Sequence, residues 1–449
     1  MNDSVRSDRQ PDTGPFTRST YTGRQVVSHV SGAVHRALTD APGSVHLGLL
    51  AFPAFDPLLP GSDVRAPQSK GTELKLSTTT RAAVATAALA GSLALAACGA
   101  SNEGGNDDAS SQGGGSSSSA PKLSGSLSGA GSSAQQAAMQ AWQAGFNADQ
   151  PGVTINYDPA GSGAGRKQFL APNGVPFAGS DAALSADELT QATSVCGPDG
   201  VYELPVYISA IAVVYNLDGV KDLQLAPATL AKIFAGQITN WNDPAVAADN
   251  PKAKLPDLAI TAVHRSEDSG TTTNFTDYLN KTAGDVWTNP PKGVWPLQGG
   301  EAASGTSGVI STVKAGKGAI GYADESQAAG LGIAKVKVGS AWVAPSAKGA
   351  AAAVANSPRT AGRGTYDMSI DVNRTTTSAD EYPVVLVSYH IGCVKQTDAN
   401  TAAALKAFES YVISDAGQQA AAKNAGSSPI TSDLRTDAQK AVDAIKAGA

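Results

Sequence analysis

The sequence has few histidines. Of the five in the chain, three fall before residue 50, and only His264 and His390 lie in the part that we expect to fold. A histidine-built metal site or a Ser-His-Asp triad therefore has few residues to draw on. We expect no metal site and no cofactor.

Positive charge is also scarce. The chain has 33 Lys and Arg against 39 Asp and Glu, which gives a formal net charge of -6. No global field then favours nucleic acid or an anionic membrane, and an anionic ligand would have to be held by local dipoles. At 449 residues the chain is long enough for two domains with ample core.

The N-terminal part does not resemble a folded domain. Residues 1–73 contain scattered Pro, Gly, Ser and Arg, and residues 74–97 then form a basic segment, an apolar run and a small-residue cleavage site. This order is typical of a signal peptide. We therefore expect residues 1–73 to be a non-native upstream extension or a disordered segment, with the native start near Leu74.

The signal peptide ends in Leu-Ala-Ala followed by Cys98, which is similar to a bacterial lipobox. This pattern predicts that Cys98 is lipidated and becomes the mature N-terminus; the alternative is a plain secretory signal with an incidental cysteine. Residues 98–121 are rich in Gly and Ser, which indicates a flexible tether. A soluble body on such a tether would be held at the outer face of the cell membrane.

The body alternates short apolar segments with Gly/Ser loops and helical patterns. Loops of this kind follow residue 128, residue 160 and residue 178, and another spans residues 299–308. This alternation favours an α/β architecture with ligands outside the carboxyl ends of the strands. Long apolar runs at 202–216 and 382–389 predict strands that cross between two lobes, whereas residues 345–375 give no clear assignment.

Residues 258–279 carry the most informative pattern. An apolar strand reaches Arg265, and Ser269, Gly270 and Thr271 then stand where a helix should begin. Free N–H groups at a helix start bind anions, and the hydroxyls and guanidinium add donors. The alternative is an ordinary serine cap beside a surface arginine.

Cys196 and Cys393 remain once Cys98 carries lipid. Two cysteines in an exported protein more often pair than not, so we expect a disulfide between them.

Six motifs occur in one order along residues 123–449, and together they resemble the PstS-type phosphate-binding lipoproteins of bacterial ATP-driven phosphate importers. They are residues 129–133, 161–168, 177–181, 234–244, 264–271 and 318–322. The resemblance implies a two-lobe periplasmic-binding-protein fold of the type II kind, with lobes of residues 122–206 plus 381–449 and of residues 207–380. A hinge would let the lobes close over one phosphate, and both cysteines would fall in the first lobe.

The resemblance also implies a ligand set. Hydroxyl and backbone donors would come from Ser133, Ala134 and Ser162 in the first lobe, which also supplies Asp181. Donors from the second lobe would be Arg265, Ser269, Gly270 and Thr271. The chain has Glu267 where the family usually has Asp two places after the arginine.

Asp181 would decide which anion binds. A carboxylate can only accept a hydrogen bond, so it favours an anion that carries a proton, as phosphate does near neutral pH and sulfate does not. The contact between Asp181 and an anion without a proton, such as sulfate, would then be repulsive. The alternative for Asp181 is a helix cap or turn residue.

Three other functions stay open. The fold could bind another oxyanion or a phosphorylated small molecule, or the chain could be an adhesive surface lipoprotein. A secreted phosphatase or esterase would use Ser133, Ser162 or Ser269 as nucleophile, but it would need an activating base or metal. The function that we expect is a binding protein, not an enzyme, which delivers phosphate to membrane permease subunits and has no nucleic acid partner.

Overall fold

The computed structural model describes residues 123–448, so the predicted upstream extension, signal peptide, Cys98 and most of the tether lie outside the described residues. Strands in this range are β1 Gly125–Gly131, β2 Val153–Asp158, β3 Phe177–Ser180, β4 Val201–Tyr215, β5 Gln224–Leu225, β6 Thr261–Arg265, β7 Glu301–Ala303, β8 Ala319–Asp324, β9 Gly332–Ile333, β10 Lys335–Val338, β11 Ala341–Val343, β12 Val385–Cys393, β13 Lys395–Gln396 and β14 Lys446–Ala447. The α-helices are α1 Gln136–Asp149, α2 Ser162–Phe169, α3 Ala186–Cys196, α4 Pro227–Phe234, α5 Pro244–Asp249, α6 Gly270–Thr282, α7 Gly305–Ala315, α8 Ala347–Ala355, α9 Ala399–Ile413, α10 Asp415–Ala425 and α11 Ser432–Ala444.

The main sheet has the strand order β2-β1-β3-β12-β4-β8-β6-β7, with β9 also paired to β4. Strand β4 links its two halves, because residues 201–210 pair with β12 and residues 211–215 pair with β8, both antiparallel. We call β1, β2, β3 and β12 the first strand set, and β6, β7 and β8 the second strand set. The predicted long strand at 202–216 is thereby confirmed.

Parallel pairing brings loops to common edges of the sheet. Strand β1 is parallel to β2 and β3, and β6 is parallel to β7 and β8. Neighbouring parallel strands end at the same edge, where ligands of open α/β sheets bind. The loops after β1, β2 and β3 therefore share one edge, and those after β6 and β7 share another.

Each strand set packs its own aromatic side chains. Behind the first set, Phe177, Phe408 and Phe146 lie in edge or tilted contact. Behind the second, Phe275 stacks on Tyr322 with ring centroids 4.3 Å apart. All five side chains are buried, and burying each contributes on the order of 1.5–3 kcal/mol.

Residues 345–375, which the sequence left unassigned, contain α8 and then an irregular segment. The backbone N–H of Glu203 in β4 donates to the Tyr366 carbonyl at 3.1 Å, and the Met368 N–H donates to the Glu203 carbonyl at 3.0 Å. Part of this segment therefore lies against β4. The lobe boundaries at 206 and 380 remain a proposal.

The expected disulfide is present between Cys196, at the end of α3, and Cys393, at the end of β12. Their Cα atoms are 5.1 Å apart, and the bond closes a sequence separation of 197 residues. Because closing a long loop limits the unfolded chain, the bond should stabilise the fold by about 4–5 kcal/mol in the chain-entropy model.

We predict that replacing both cysteines, Cys196→Ser with Cys393→Ser, lowers the free energy of unfolding by about 2–5 kcal/mol. Denaturant titration of the oxidised protein and the double variant measures the difference. Equal midpoints, or alkylation of both residues in the oxidised folded protein, would contradict the stabilising role.

Asp324 is a second feature with a measurable consequence. It is fully buried at the end of β8, where its Oδ1 accepts hydrogen bonds from Tyr207 Oη and the Ser326 N–H, both at 3.0 Å. Burial raises the pKa of Asp324 to about 7, although these hydrogen bonds act to lower it. The unfolded chain has a value near 3.9, so between about pH 4 and 7 the folded state holds a proton that the unfolded state releases.

Stability should therefore fall as the pH rises through this window, by on the order of 4 kcal/mol for this group. We predict that Asp324→Asn removes this part of the pH dependence, as measured by denaturant midpoints at pH 5 and pH 8. The exposed carboxylate Asp218 provides the control variant Asp218→Asn. If the loss of stability from pH 5 to 8 is as large in Asp324→Asn as in the wild type, the assignment is wrong.

Candidate functional site

Loops from the two strand sets meet in one place. From the first set come the loop after β1 with Ser133, the start of α2 with Ser162, and Asp181 directly after β3. From the second set come the end of β6 and the start of α6. We call the region where they meet the cleft, made of Ser133, Ser162, Asp181, Arg265, Ser269, Gly270, Thr271 and Thr306.

Arg265 joins the two sides of the cleft. Its Nη2 donates to the Ser133 hydroxyl at 3.0 Å, although the two residues are far apart in sequence. Ser133 Oγ also accepts from the Thr306 N–H at 3.1 Å, at the start of α7. Arg265 is 3% exposed, so its guanidinium acts in a region with little water. Ser133 therefore contacts residues from the ends of both β6 and β7.

Glu267 orients the Arg265 guanidinium. Its Oε1 accepts from Arg265 Nε at 2.8 Å, forms a further contact with Nη2, and accepts from the Gly305 N–H at 3.0 Å. Partial burial acts to raise the pKa of Glu267, but the hydrogen bonds and charge of Arg265 outweigh it and lower that pKa. Glu267 therefore forms a partly buried ion pair with Arg265.

Asp181 is the second link across the cleft. It is 3% exposed, and its Oδ2 accepts from the Thr271 hydroxyl at 2.9 Å while its Oδ1 accepts from the Ser388 hydroxyl at 2.7 Å. Its backbone N–H donates to Ser162 Oγ at 3.2 Å. A carboxylate offers about four lone-pair sites, so Asp181 can accept further hydrogen bonds. It is a buried acceptor surrounded by donors.

The start of α6 fits closely against Asp181. Ser269 caps the helix, with its Oγ accepting from the Thr272 N–H at 3.3 Å. A Cβ on Gly270 would lie 2.8 Å from the Asp181 backbone, so only glycine allows this approach. The N–H groups of Gly270 and Thr271, which precede the capped Thr272 N–H, have no intrahelical partner and are available to an anion.

Ala134 differs from the rest of the predicted set. Its side chain is fully buried, and its backbone N–H donates to the Ser132 hydroxyl at 3.1 Å. Its role as a ligand donor stays a prediction, as do the ligand roles of the other predicted residues. The other predicted residues are brought together by the contacts described above.

Sequence reasoning missed several residues of the cleft. Thr306 belongs to the Gly/Ser loop at 299–308, a loop that the sequence pattern indicates without giving Thr306 a role. Asn274 donates to the Asp181 carbonyl at 2.6 Å, and the buried Arg374 donates to Asn274 Oδ1. Ser388 lies in the middle of an apolar strand, where nothing in the sequence marks it.

Formal charge in the cleft is low. Arg265 is paired with Glu267, and Asp181 adds a negative charge. Attraction for an anion therefore depends on the starts of α6 and α7, hydroxyl groups and backbone N–H groups. Burial and, to a smaller extent, the nearby Asp181 also raise the pKa of Tyr157, so its hydroxyl stays protonated.

The geometry gives little support to a serine nucleophile. The His264 ring stacks on Trp295 with centroids 4.9 Å apart, and its nitrogens contact the carbonyl oxygens of Arg265 and Gly299. Within residues 123–448, neither ring nitrogen is hydrogen-bonded to a serine hydroxyl of the cleft. The same residues contain no His, Cys, Asp and Glu cluster arranged for a metal ion and no helix long and apolar enough to span a membrane.

Comparison with known proteins agrees with this architecture. Residues 72–416 match the family model of the PBP superfamily domain. The chain is 36% identical to phosphate-binding protein PstS 3 of Mycobacterium tuberculosis over 324 residues, which cover 71% of this chain and 86% of the relative. It is 35% identical to phosphate-binding protein PstS2 of Mycobacterium bovis over 364 residues, which cover 79% and 96%.

Solved structures show the same two-lobe α/β fold. A high-affinity periplasmic phosphate-binding protein, PfluDING, solved with phosphate bound, matches with a TM-score of 0.59 and 24% identity, covering 70% of this chain and 93% of that one. A phosphate-binding protein from Stenotrophomonas maltophilia matches with a TM-score of 0.53 and 20% identity, covering 71% and 94%. The chain belongs to the PBP superfamily and, within it, to the PstS family of phosphate-binding proteins, which are substrate-binding proteins.

Proposed function

We propose that this protein binds inorganic phosphate in the cleft between its two lobes and delivers it to the permease subunits of a membrane ABC importer. The observation that carries the proposal is the buried Asp181 carboxylate, which accepts hydrogen bonds from Thr271 and Ser388 in a cleft otherwise lined by donors. The names of the PstS relatives support phosphate as the ligand.

The donor set suits a tetrahedral oxyanion. Ser133, Ser162 and Thr271 offer hydroxyls, Ser269 and Gly270 stand at the start of α6, and Arg265 offers a planar fork of N–H groups. Ser133 and Arg265 bond each other directly across the cleft, as expected for lobes that are closed. Ligand binding would then shift the population between open and closed lobes.

The same proposal implies where in the cell the protein is located. A disulfide is typical of an oxidising, extracytoplasmic compartment. Lipidation at Cys98 and the tether of residues 98–121 would keep the body at the outer face of the cell membrane, within reach of a permease. A phosphorylated small molecule is less favoured, because the cleft side chains are almost completely buried. An oxyanion without a proton is less favoured, because the Asp181 carboxylate can only accept a hydrogen bond.

Calorimetric titration of phosphate-free protein should give tight one-to-one binding of phosphate that excess sulfate leaves unchanged. We predict that Asp181→Asn weakens phosphate binding by at least about tenfold and lets sulfate compete, because an amide can donate to an anion without a proton. Thr271 can accept from the new amide, so the variant should fold. Competition by sulfate in the wild type, or none in the variant, would contradict the role of Asp181.

We also predict that Arg265→Lys weakens phosphate binding by about 10- to 100-fold. A single ammonium cannot contact Glu267 and Ser133 in the fixed geometry of the guanidinium. The matched control is Arg359→Lys, a half-exposed arginine that pairs with Asp437. If the two variants bind phosphate equally well, the planar fork of Arg265 is not required.

A further inference from the structure

A line of buried hydrogen bonds runs from the cleft into the protein. Ser388 Oγ lies 2.7 Å from Asp181 Oδ1, and Gln135 Nε2 lies 2.9 Å from Ser388 Oγ. Gln135 Oε1 lies 3.0 Å from His390 Nε2, and His390 Nδ1 lies 2.8 Å from Glu409 Oε2. All five residues are at most 3% exposed. Ser388 is the only member of this line next to Asp181.

Counting hydrogens fixes the direction of this line. Ser388 has one hydroxyl proton, and if Asp181 is ionised that proton must point to Asp181. Ser388 must then accept from its other neighbour, so Gln135 presents its amide N–H₂ there. The Gln135 oxygen consequently faces His390, whose Nε2 must carry a proton.

The opposite orientation of the amide breaks the line. If the Gln135 amide were rotated by 180°, its oxygen would face Ser388. This oxygen and the Asp181 carboxylate would then both require the single hydroxyl proton of Ser388. One buried acceptor would be left without a donor, which costs about 1–3 kcal/mol or more. The observed orientation is therefore the one that supplies a donor to Asp181.

Glu409 and the surrounding rings hold the His390 ring in place. The Glu409 carboxyl lies against Nδ1, so Nε2 is the ring nitrogen that faces Gln135. Trp142 meets the ring edge-on at 5.5 Å and Phe408 stacks on it at 6.0 Å. Tyr202 faces Glu409 from β4; burial, and then the charge of Glu409, raise the pKa of Tyr202.

We infer that Gln135 and His390 are positioning residues for anion selectivity, which direct the Ser388 hydroxyl to Asp181 and so keep Asp181 an acceptor that selects a protonated oxyanion. The inference rests on the proposed function, in which Asp181 meets phosphate. It assigns a role to two residues that do not line the cleft themselves.

Two variants of the full chain test the inference. Ser388→Ala removes the donor to Asp181 Oδ1. Gln135→Glu keeps the shape of the side chain but replaces the N–H₂ group by an oxygen that competes for the Ser388 proton. Ser209→Ala is the matched control, because Ser209 is a buried serine of the neighbouring strand β4 whose hydroxyl lies 3.4 Å from the Ala210 carbonyl and also acts on Asp324, with no hydrogen bond to Asp181 or Gln135 among the described residues.

The measured quantity is the ratio of phosphate to sulfate affinity, with the melting temperature recorded for each variant. We expect Ser388→Ala and Gln135→Glu to lower this ratio by at least about tenfold, mainly through stronger sulfate binding, and Ser209→Ala to keep the wild-type ratio. In addition, ¹⁵N NMR of the wild type should show His390 protonated at Nε2 near pH 7.

Several results would overturn the inference. An unprotonated Nε2 would contradict the hydrogen count, and variants that melt earlier but keep the wild-type ratio would make the line purely structural. If Gln135→Glu does not fold, the anion affinities of Ser388→Ala and the NMR spectrum of the wild type still test the inference. If the wild type binds neither anion, the proposed function is overturned, and the selectivity role with it. If the wild type binds phosphate selectively and both variants do the same, only the inference is overturned.

Discussion

The cleft depends on one unusual group, a buried carboxylate placed among hydrogen-bond donors. Asp181 is tied to α6 by Thr271, to β12 by Ser388 and to α2 through Ser162. An ionised carboxylate is costly to bury unless it is hydrogen-bonded. The Thr271 and Ser388 hydroxyls donate to the carboxylate and offset that cost, and they leave lone pairs that only a proton-bearing ligand can use. Selectivity and stability of the cleft thus arise from the same contacts.

The fold serves this group by bringing strand ends together. Strand β4 belongs to both halves of the sheet, so the loops after β1 and β3 can meet the loops after β6 and β7. Glycine at position 270 lets α6 approach the Asp181 backbone closely. The disulfide between Cys196 and Cys393 ties α3 to β12, the strand that carries Ser388.

Much of this arrangement could be predicted from the sequence. The Gly/Ser loops before helices indicated an α/β fold and an anion site, and Arg265, Ser269 and Thr271 follow directly from the strand-to-helix pattern. Local signals of this kind arise because a helix start requires particular residues.

Contacts between distant segments could not be predicted in the same way. Ser388 lies in an apolar strand and Gln135 in a helical pattern, and only the pairing of β12 with β3 brings them to Asp181. Arg374 and Asn274 are linked across about a hundred positions for the same reason. The segment around Tyr366 lies against β4 through backbone hydrogen bonds, which leave no pattern in side-chain composition.

The central claim is that Asp181 accepts a hydrogen bond from the ligand and does not donate one. Difference infrared spectroscopy of the phosphate complex, compared between the wild type and Asp181→Asn, tests it most directly. The account predicts that the substitution removes a carboxylate band from the spectrum of the complex. Loss of a protonated carboxylic acid band instead would show that Asp181 is a donor, and would contradict the account.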